Sequence, residues 1–122
     1  MANKSKRTGS AFEAQVARFL SEELGNDGIE RRTLQGAADR GDIAGVRLNG
    51  KRVVVECKAE KALRVPEYLR EAEAERENDG AAFGIVVSKR RGIGEQRTGE
   101  QLVLMTLGTL TAIMRESENG RD

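Results

Sequence analysis

Apolar positions first recur with the spacing of a helix. Phe12, Val16, Phe19, Leu20 and Leu24 fall on one face, and Gly25 follows as a stop. Ser10 is a reasonable N-cap, and Glu13, three residues later, stands in the reciprocal position of a capping box. The period then changes. Ile29 to Leu34, Ile43 to Leu48 and Val53-Val54-Val55 are short aliphatic runs, and Asn49-Gly50 between the last two is a strong hairpin signal. From Pro66 to Asn78 the pattern is helical again, with proline in the first turn and Gly80 after the end. Leu69, Ala72 and Arg76 make a thin inner stripe, while Glu67, Glu71 and Glu75 run at four-residue spacing along a face expected to meet water. Ala82 to Ser88 and Leu102 to Leu107 read as strands, and Leu110 to Met114 begins a closing helix. This order predicts an α/β fold with a central mixed sheet flanked by helices.

The hairpin raises a question of register. A three-residue loop over Leu48-Asn49-Gly50 sets Asp42 opposite Glu56, with Cβ atoms roughly 5 Å apart. A two-residue Asn49-Gly50 loop sets Ile43 opposite Glu56 and turns Asp42 to the other face. In the first register two carboxylates meet at the ends of neighbouring strands, and they repel unless a proton or a divalent cation lies between them. Oxygen ligands suit Mg²⁺ or Mn²⁺, and the carbonyl of Cys57 is a natural third protein ligand. Lys58, two residues beyond Glu56, shares its face and can orient a water or offset phosphate charge. Two acids and a lysine around a metal suit phosphodiester hydrolysis.

Composition narrows the field. The chain of 122 residues is long enough for one domain with a core, and three Phe, one Tyr and no Trp leave that core to Val, Leu, Ile and Ala. With no His, histidine acid-base chemistry and His-ligated zinc are excluded. The single Cys57 has no partner for an internal disulfide, and strand alternation turns it away from Glu56 and Lys58 into the opposite, packed face. No apolar run reaches the roughly 20 residues of a membrane span, which points to a cytoplasmic protein without a membrane partner. A formal net charge of +1 confines any grip on DNA to local patches. These are Lys4, Lys6 and Arg7 in a flexible arm over residues 1–8, the Arg31-Arg32 pair, and the polar segment Lys89-Arg90-Arg91 to Gly99, read as a mobile basic loop. The Gly36 to Gly41 loop, with its flanking arginines, can admit a phosphate backbone. Asp39 within it precedes the strand, so Asp42 is the preferred ligand. Sparse aromatics argue against stacking on single strands.

Asp42, thirteen residues, then Glu56-x-Lys58 resembles the PD-(D/E)XK nuclease superfamily, and most closely its Holliday-junction-resolvase-type members of phages and bacteria. Gly9-Ser10-Ala11-Phe12-Glu13 matches their GxxxE element on the first helix, and Ile85 to Arg91 is similar to their later strand with its basic turn. Two departures stand out: Gly41 occupies the position usually held by proline, and Gln35-Gly36 stands where resolvases often carry Ser-Gly.

The resemblance implies a restriction-endonuclease-like core over residues 9–116, followed by a flexible tail over 117–122. It implies that Asp42 and Glu56 hold Mg²⁺, for which Mn²⁺ can substitute, that Lys58 positions the water, and that Glu13 completes the acidic cluster. Gln35 becomes a candidate phosphate contact beside Arg31, Arg32, Lys89, Arg90 and Arg91. The activity implied is a structure-specific endodeoxyribonuclease on branched double-stranded DNA, a homodimer without organic cofactor, cutting four-way junctions to leave 5′ phosphates. A nuclease of the same fold with a nicking, flap or restriction-type target, and a non-catalytic DNA-binding or protein-interaction module, are the alternatives.

Overall fold

The computed structural model describes residues 4–32 and 39–120. Helix α1, Lys4–Leu24, packs on one face of a mixed sheet and α2, Val65–Asp79, on the other, while α3, Leu107–Asn119, closes the chain. The strands are β1 Glu30–Arg31, β2 Ile43–Ala44, β3 Arg47–Leu48, β4 Lys51–Lys58, β5 Phe83–Ser88 and β6 Leu102–Leu104. They run in the order β1-β2-β4-β5-β6, with β3 also on β4. Among the described strands only β4 and β5 pair in parallel, and α2 is the crossover between them; the other pairings are antiparallel.

Alternation along β4 separates the two faces. Val53, Val55 and Cys57 turn to α1, where they join Phe12, Val16, Ala17, Ile29, Ile43 and Val87. Glu56 and Lys58 turn the other way, toward α2, whose buried residues are Tyr68, Ala72 and Glu75. Gly84 on β5 makes this approach close: a Cβ there would lie 3.0 Å from the Ala72 carbonyl oxygen. A side chain at that point would hold α2, and Glu75 with it, away from the sheet.

The hairpin resolves the register by a route the sequence did not suggest. The turn is the two-residue Asn49-Gly50 type, with Leu48 facing Lys51 and Arg47 facing Arg52, and both turn residues have positive φ. Such a turn alone would set Ile43 against Glu56. Instead Ile43 faces Val55, because one extra residue is inserted between β2 and β3. From Val46, whose carbonyl accepts from Val53 N–H, the chain takes three steps to Ile43 while β4 takes two to Val55. Gly45 sits in this bulge at φ +91°, with its Cα side against the Gly28 carbonyl where a Cβ would clash. The bulge brings Asp42 level with Glu56, and Asp42 N–H continues the ladder to the Val55 carbonyl at 2.9 Å.

Other boundaries shift for identifiable reasons. Ser10 is no helix cap, since α1 begins at Lys4 and Ser10 lies inside it, so the capping-box role of Glu13 falls away. Helix α1 starts at Lys4, within the arm expected over residues 1–8, and α3 continues through Asn119, within the tail expected over 117–122. Glu95–Glu100 forms short 3₁₀ turns rather than free loop. Thr98 is buried there, donating to the Glu95 carbonyl and accepting from the Gln15 amide of α1 at 2.9 Å. Among the described residues no helix is long and apolar enough to cross a membrane.

Candidate metal centre

Asp42 reaches the site from the start of β2. Its Oδ2 accepts from Cys57 N–H at 2.7 Å, which clamps the carboxylate across the end of β4 and against Glu56. Glu56 is 6 % exposed, and its Oε1 has no hydrogen-bond partner. Glu75, from the third turn of α2, is 3 % exposed, and its Oε2 also lacks a partner. Asp39, exposed at the rim, accepts from Gly41 N–H through Oδ1 at 2.9 Å. One carboxylate oxygen from each of Asp39, Glu56 and Glu75 lies within 4.8 Å of the others.

The electrostatics follow from this crowding. Burial, then the hydrogen bond and charge of Asp42, then the charge of Glu75, push the Glu56 carboxyl up to about 11. Burial also raises Glu75, to about 8; its hydrogen bond with Glu56 works in the opposite direction, and the charge of Asp39 adds to the rise. Both shifts favour the protonated forms of Glu56 and Glu75.

Lys58 stands over the same face. Its Nζ lies 2.5 Å from Glu71 Oε2, 3.5 Å from Glu56 Oε2 and 5.2 Å from the centre of the Tyr68 ring. Burial alone would lower the ammonium's pKa; the hydrogen bond to Glu71 and the charge of Glu56 outweigh it and move the group upward. Lys58 is therefore a fixed cation with three donors, two of them directed at carboxylates.

Other residues singled out in the sequence lie elsewhere. Glu13 is on α1, on the opposite side of β4, where its Oε1 accepts from Arg31 Nε at 2.9 Å; Arg31 also donates to Ser10 Oγ. Arg32 is turned toward Asp79, 3.8 Å away, a carboxylate shared with Arg52. Arg90 donates to the Glu100 carbonyl, and its backbone N–H to Gln101 Oε1. Lys89 and Arg91 are set apart from it, lining an open cleft with Lys61, directly past the end of β4. Cys57 packs with the α1-side core as expected, and burial pushes its thiol up. Gln35 lies outside the described residues, as do the side chains of Lys4, Lys6 and Arg7.

Glu75 corrects the expectation that the acidic face of α2 meets water. Glu67 and Glu71 remain half exposed, but Glu75 follows Tyr68 and Ala72 at seven and three residues, on the buried stripe. That spacing was the available signal. No protein-family model matches the chain, and no curated protein or solved structure matches it significantly.

Proposed function

We propose that the chain is a divalent-metal-dependent endodeoxyribonuclease of the Holliday-junction-resolvase type, built on a restriction-endonuclease-like core. The observation that carries this reading is the gathering of Asp42, Glu56 and Lys58 on one face at the adjoining ends of β2 and β4, with Lys58 Nζ 3.5 Å from Glu56. The buried, unpartnered Oε1 of Glu56 fits a cation, because an orphaned buried acceptor is costly unless something occupies its lone pairs. Asp42 and Glu56 would hold Mg²⁺ or Mn²⁺ with the Cys57 carbonyl, all oxygen donors of the kind these ions favour.

When bound, the ion supplies Lewis-acid stabilisation of the phosphate and of the departing 3′ oxygen, leaving a 5′ phosphate. The chain's own residues do the rest. Lys58 keeps one donor for the attacking water or a phosphate oxygen, and as a fixed cation it favours developing negative charge. Asp42 is held through Oδ2 by Cys57 N–H, which leaves its second oxygen for the ion. Lys61, Lys89 and Arg91, which line an open cleft past the end of β4, would take phosphates of the DNA backbone. A four-way junction is two-fold symmetric, so the reading includes a homodimer that sets two such centres across it.

The test is cleavage of a labelled four-way junction beside a linear duplex of the same arms, in Mg²⁺ or EDTA, by wild type and Glu56→Gln. Symmetric junction cuts that require both Mg²⁺ and Glu56 are expected. Cutting of linear or nicked DNA with equal efficiency moves the target to another nuclease class. No cutting in Mg²⁺ or Mn²⁺ leaves a DNA-binding module.

A further inference from the structure

We infer that Glu75, assisted by Asp39, is a cation ligand of this centre, so that α2 supplies the acidic residue that α1 does not. The inference rests on the metal-dependent reading above and extends it to residues outside the Asp42, Glu56, Lys58 pattern.

Three observations meet here. Glu75 and Glu56 are both more than nine-tenths buried, and each has a buried oxygen, Oε2 and Oε1, without a hydrogen-bond partner. A glutamate costs several kcal/mol to bury charged and alone, and no arginine or lysine is paired with Glu75 among the described ion pairs. One oxygen from each of Asp39, Glu56 and Glu75 lies within 4.8 Å of the others. On an octahedral ion with bonds of about 2.1 Å, adjacent ligands stand about 3.0 Å apart and opposite ones about 4.2 Å, so the three carboxylates close in on the ion by side-chain rotation. Glu13, by contrast, is engaged with Arg31 on the other side of β4.

The geometry also explains two backbone features. Gly84 lets α2 approach β5 to the point where Glu75 meets Glu56, and the Asp39 Oδ1 bond to Gly41 N–H folds the loop so that Asp39 reaches the rim. The ligand is a hard divalent cation with oxygen preference, Mg²⁺, Mn²⁺ or Ca²⁺.

Mn²⁺ binding, read from loss of the free-ion electron paramagnetic resonance signal, tests this on wild type, Glu75→Gln, Asp39→Asn and, as control, the exposed Glu77→Gln. Glu75→Gln is expected to weaken Mn²⁺ at least about tenfold, as is usual even for residues that only support a ligand, and Asp39→Asn to weaken it less, with Glu77→Gln at the wild-type affinity. Circular dichroism in EDTA checks that the variants fold; because Asp39 is exposed, its variant carries the test if Glu75→Gln does not fold. Wild-type affinity in both variants overturns the inference, and so does a wild type that binds no Mn²⁺. If wild type cuts DNA in Mg²⁺ while Glu75→Gln binds Mn²⁺ equally well, the inference fails and the nuclease reading stands. If Mn²⁺ binds through Glu75 but no DNA is cut, the inference stands and the nuclease reading fails.

Discussion

Lys58 Nζ lies closer to Glu71, at 2.5 Å, than to Glu56, at 3.5 Å, so the lysine beside the candidate metal centre is held from α2 as well as from its own strand. The two partners have different tasks. Glu56 is buried with the acidic cluster, whereas the Glu71 side chain is about half exposed and serves as a tether. Lys58→Met should lower single-turnover cleavage by about 10³-fold, within the range for a group that assists proton transfer or charge in the transition state. Glu71→Gln keeps an acceptor for the ammonium and removes an anion beside the proposed nuclease site, so on that reading cleavage should stay within about tenfold and DNA binding should tighten. A loss above 10²-fold in Glu71→Gln would show that the charge of the tether, not only its oxygen, positions Lys58.

Asp42 has both a structural and a chemical use, and two substitutions separate them. In Asp42→Asn the amide oxygen can still accept from Cys57 N–H, and one negative charge leaves the cluster. Cleavage should fall by about 10³-fold or more while the melting temperature in EDTA stays level or rises by a few degrees. Asp42→Ala leaves Cys57 N–H without its acceptor and should cost about 1–2 kcal/mol in denaturant unfolding. A Asp42→Asn protein that does not fold would point instead to a purely structural charge network.

The hairpin and the helices were legible because their signals are local: Asn49-Gly50 specifies its turn, and Phe12, Val16 and Leu20 specify a helical face. The bulge was not, because a lone glycine in a strand run does not say whether it is paired; only the contact of Gly45 with Gly28 makes the insertion necessary. That one residue decides whether Asp42 meets Glu56. Glu75 was hidden by its own series, since Glu67, Glu71 and Glu75 look like one solvated row. Its place beside Tyr68 and Ala72 depends on the rotation of α2, which the packing at Gly84 sets and the apolar count of that helix leaves ambiguous.

The raised carboxyls make stability depend on pH in a particular direction. Glu75 moves from 4.5 to about 8, and Glu56 from 4.5 to about 11, both through burial first. Between the unfolded and folded values the native state binds more protons than the unfolded one, so stability falls as pH rises. The contribution is whole below about pH 4.5 and declines through pH 8 and beyond. In EDTA the melting temperature should therefore drop from pH 5.5 to 8.5, and Ca²⁺ should offset more of that drop at the alkaline end, because bound cation replaces the protons. Glu56→Gln should flatten the slope. A melting temperature that climbs with pH over this range would mean that the cluster is ionised and otherwise compensated.

Lys89, Arg90 and Arg91 are adjacent in sequence but not equivalent in space, which yields a test of the DNA face. Arg90 is committed to the Glu100 carbonyl and, through its backbone, to Gln101, so it ties the basic turn to the 3₁₀ segment. Lys89 and Arg91 instead line the open cleft with Lys61 and Glu60 past the end of β4, where Lys89 N–H donates to the Lys58 carbonyl at 2.9 Å and the Lys89 ammonium lies 6.0 Å from the centre of the Phe12 ring. Each lysine or arginine that neutralises a phosphate adds about 0.9 to the slope of log affinity against log salt. Neutralising Lys61, Lys89 and Arg91 together should reduce that slope by about 2 to 3 and weaken binding of every duplex alike. Arg90→Ala should leave the slope within about 0.5 of wild type and lower the melting temperature. An unchanged slope in the triple variant, measured by fluorescence anisotropy between 50 and 200 mM salt, would remove the cleft from the interface and send the search for phosphate contacts to the N-terminal lysines.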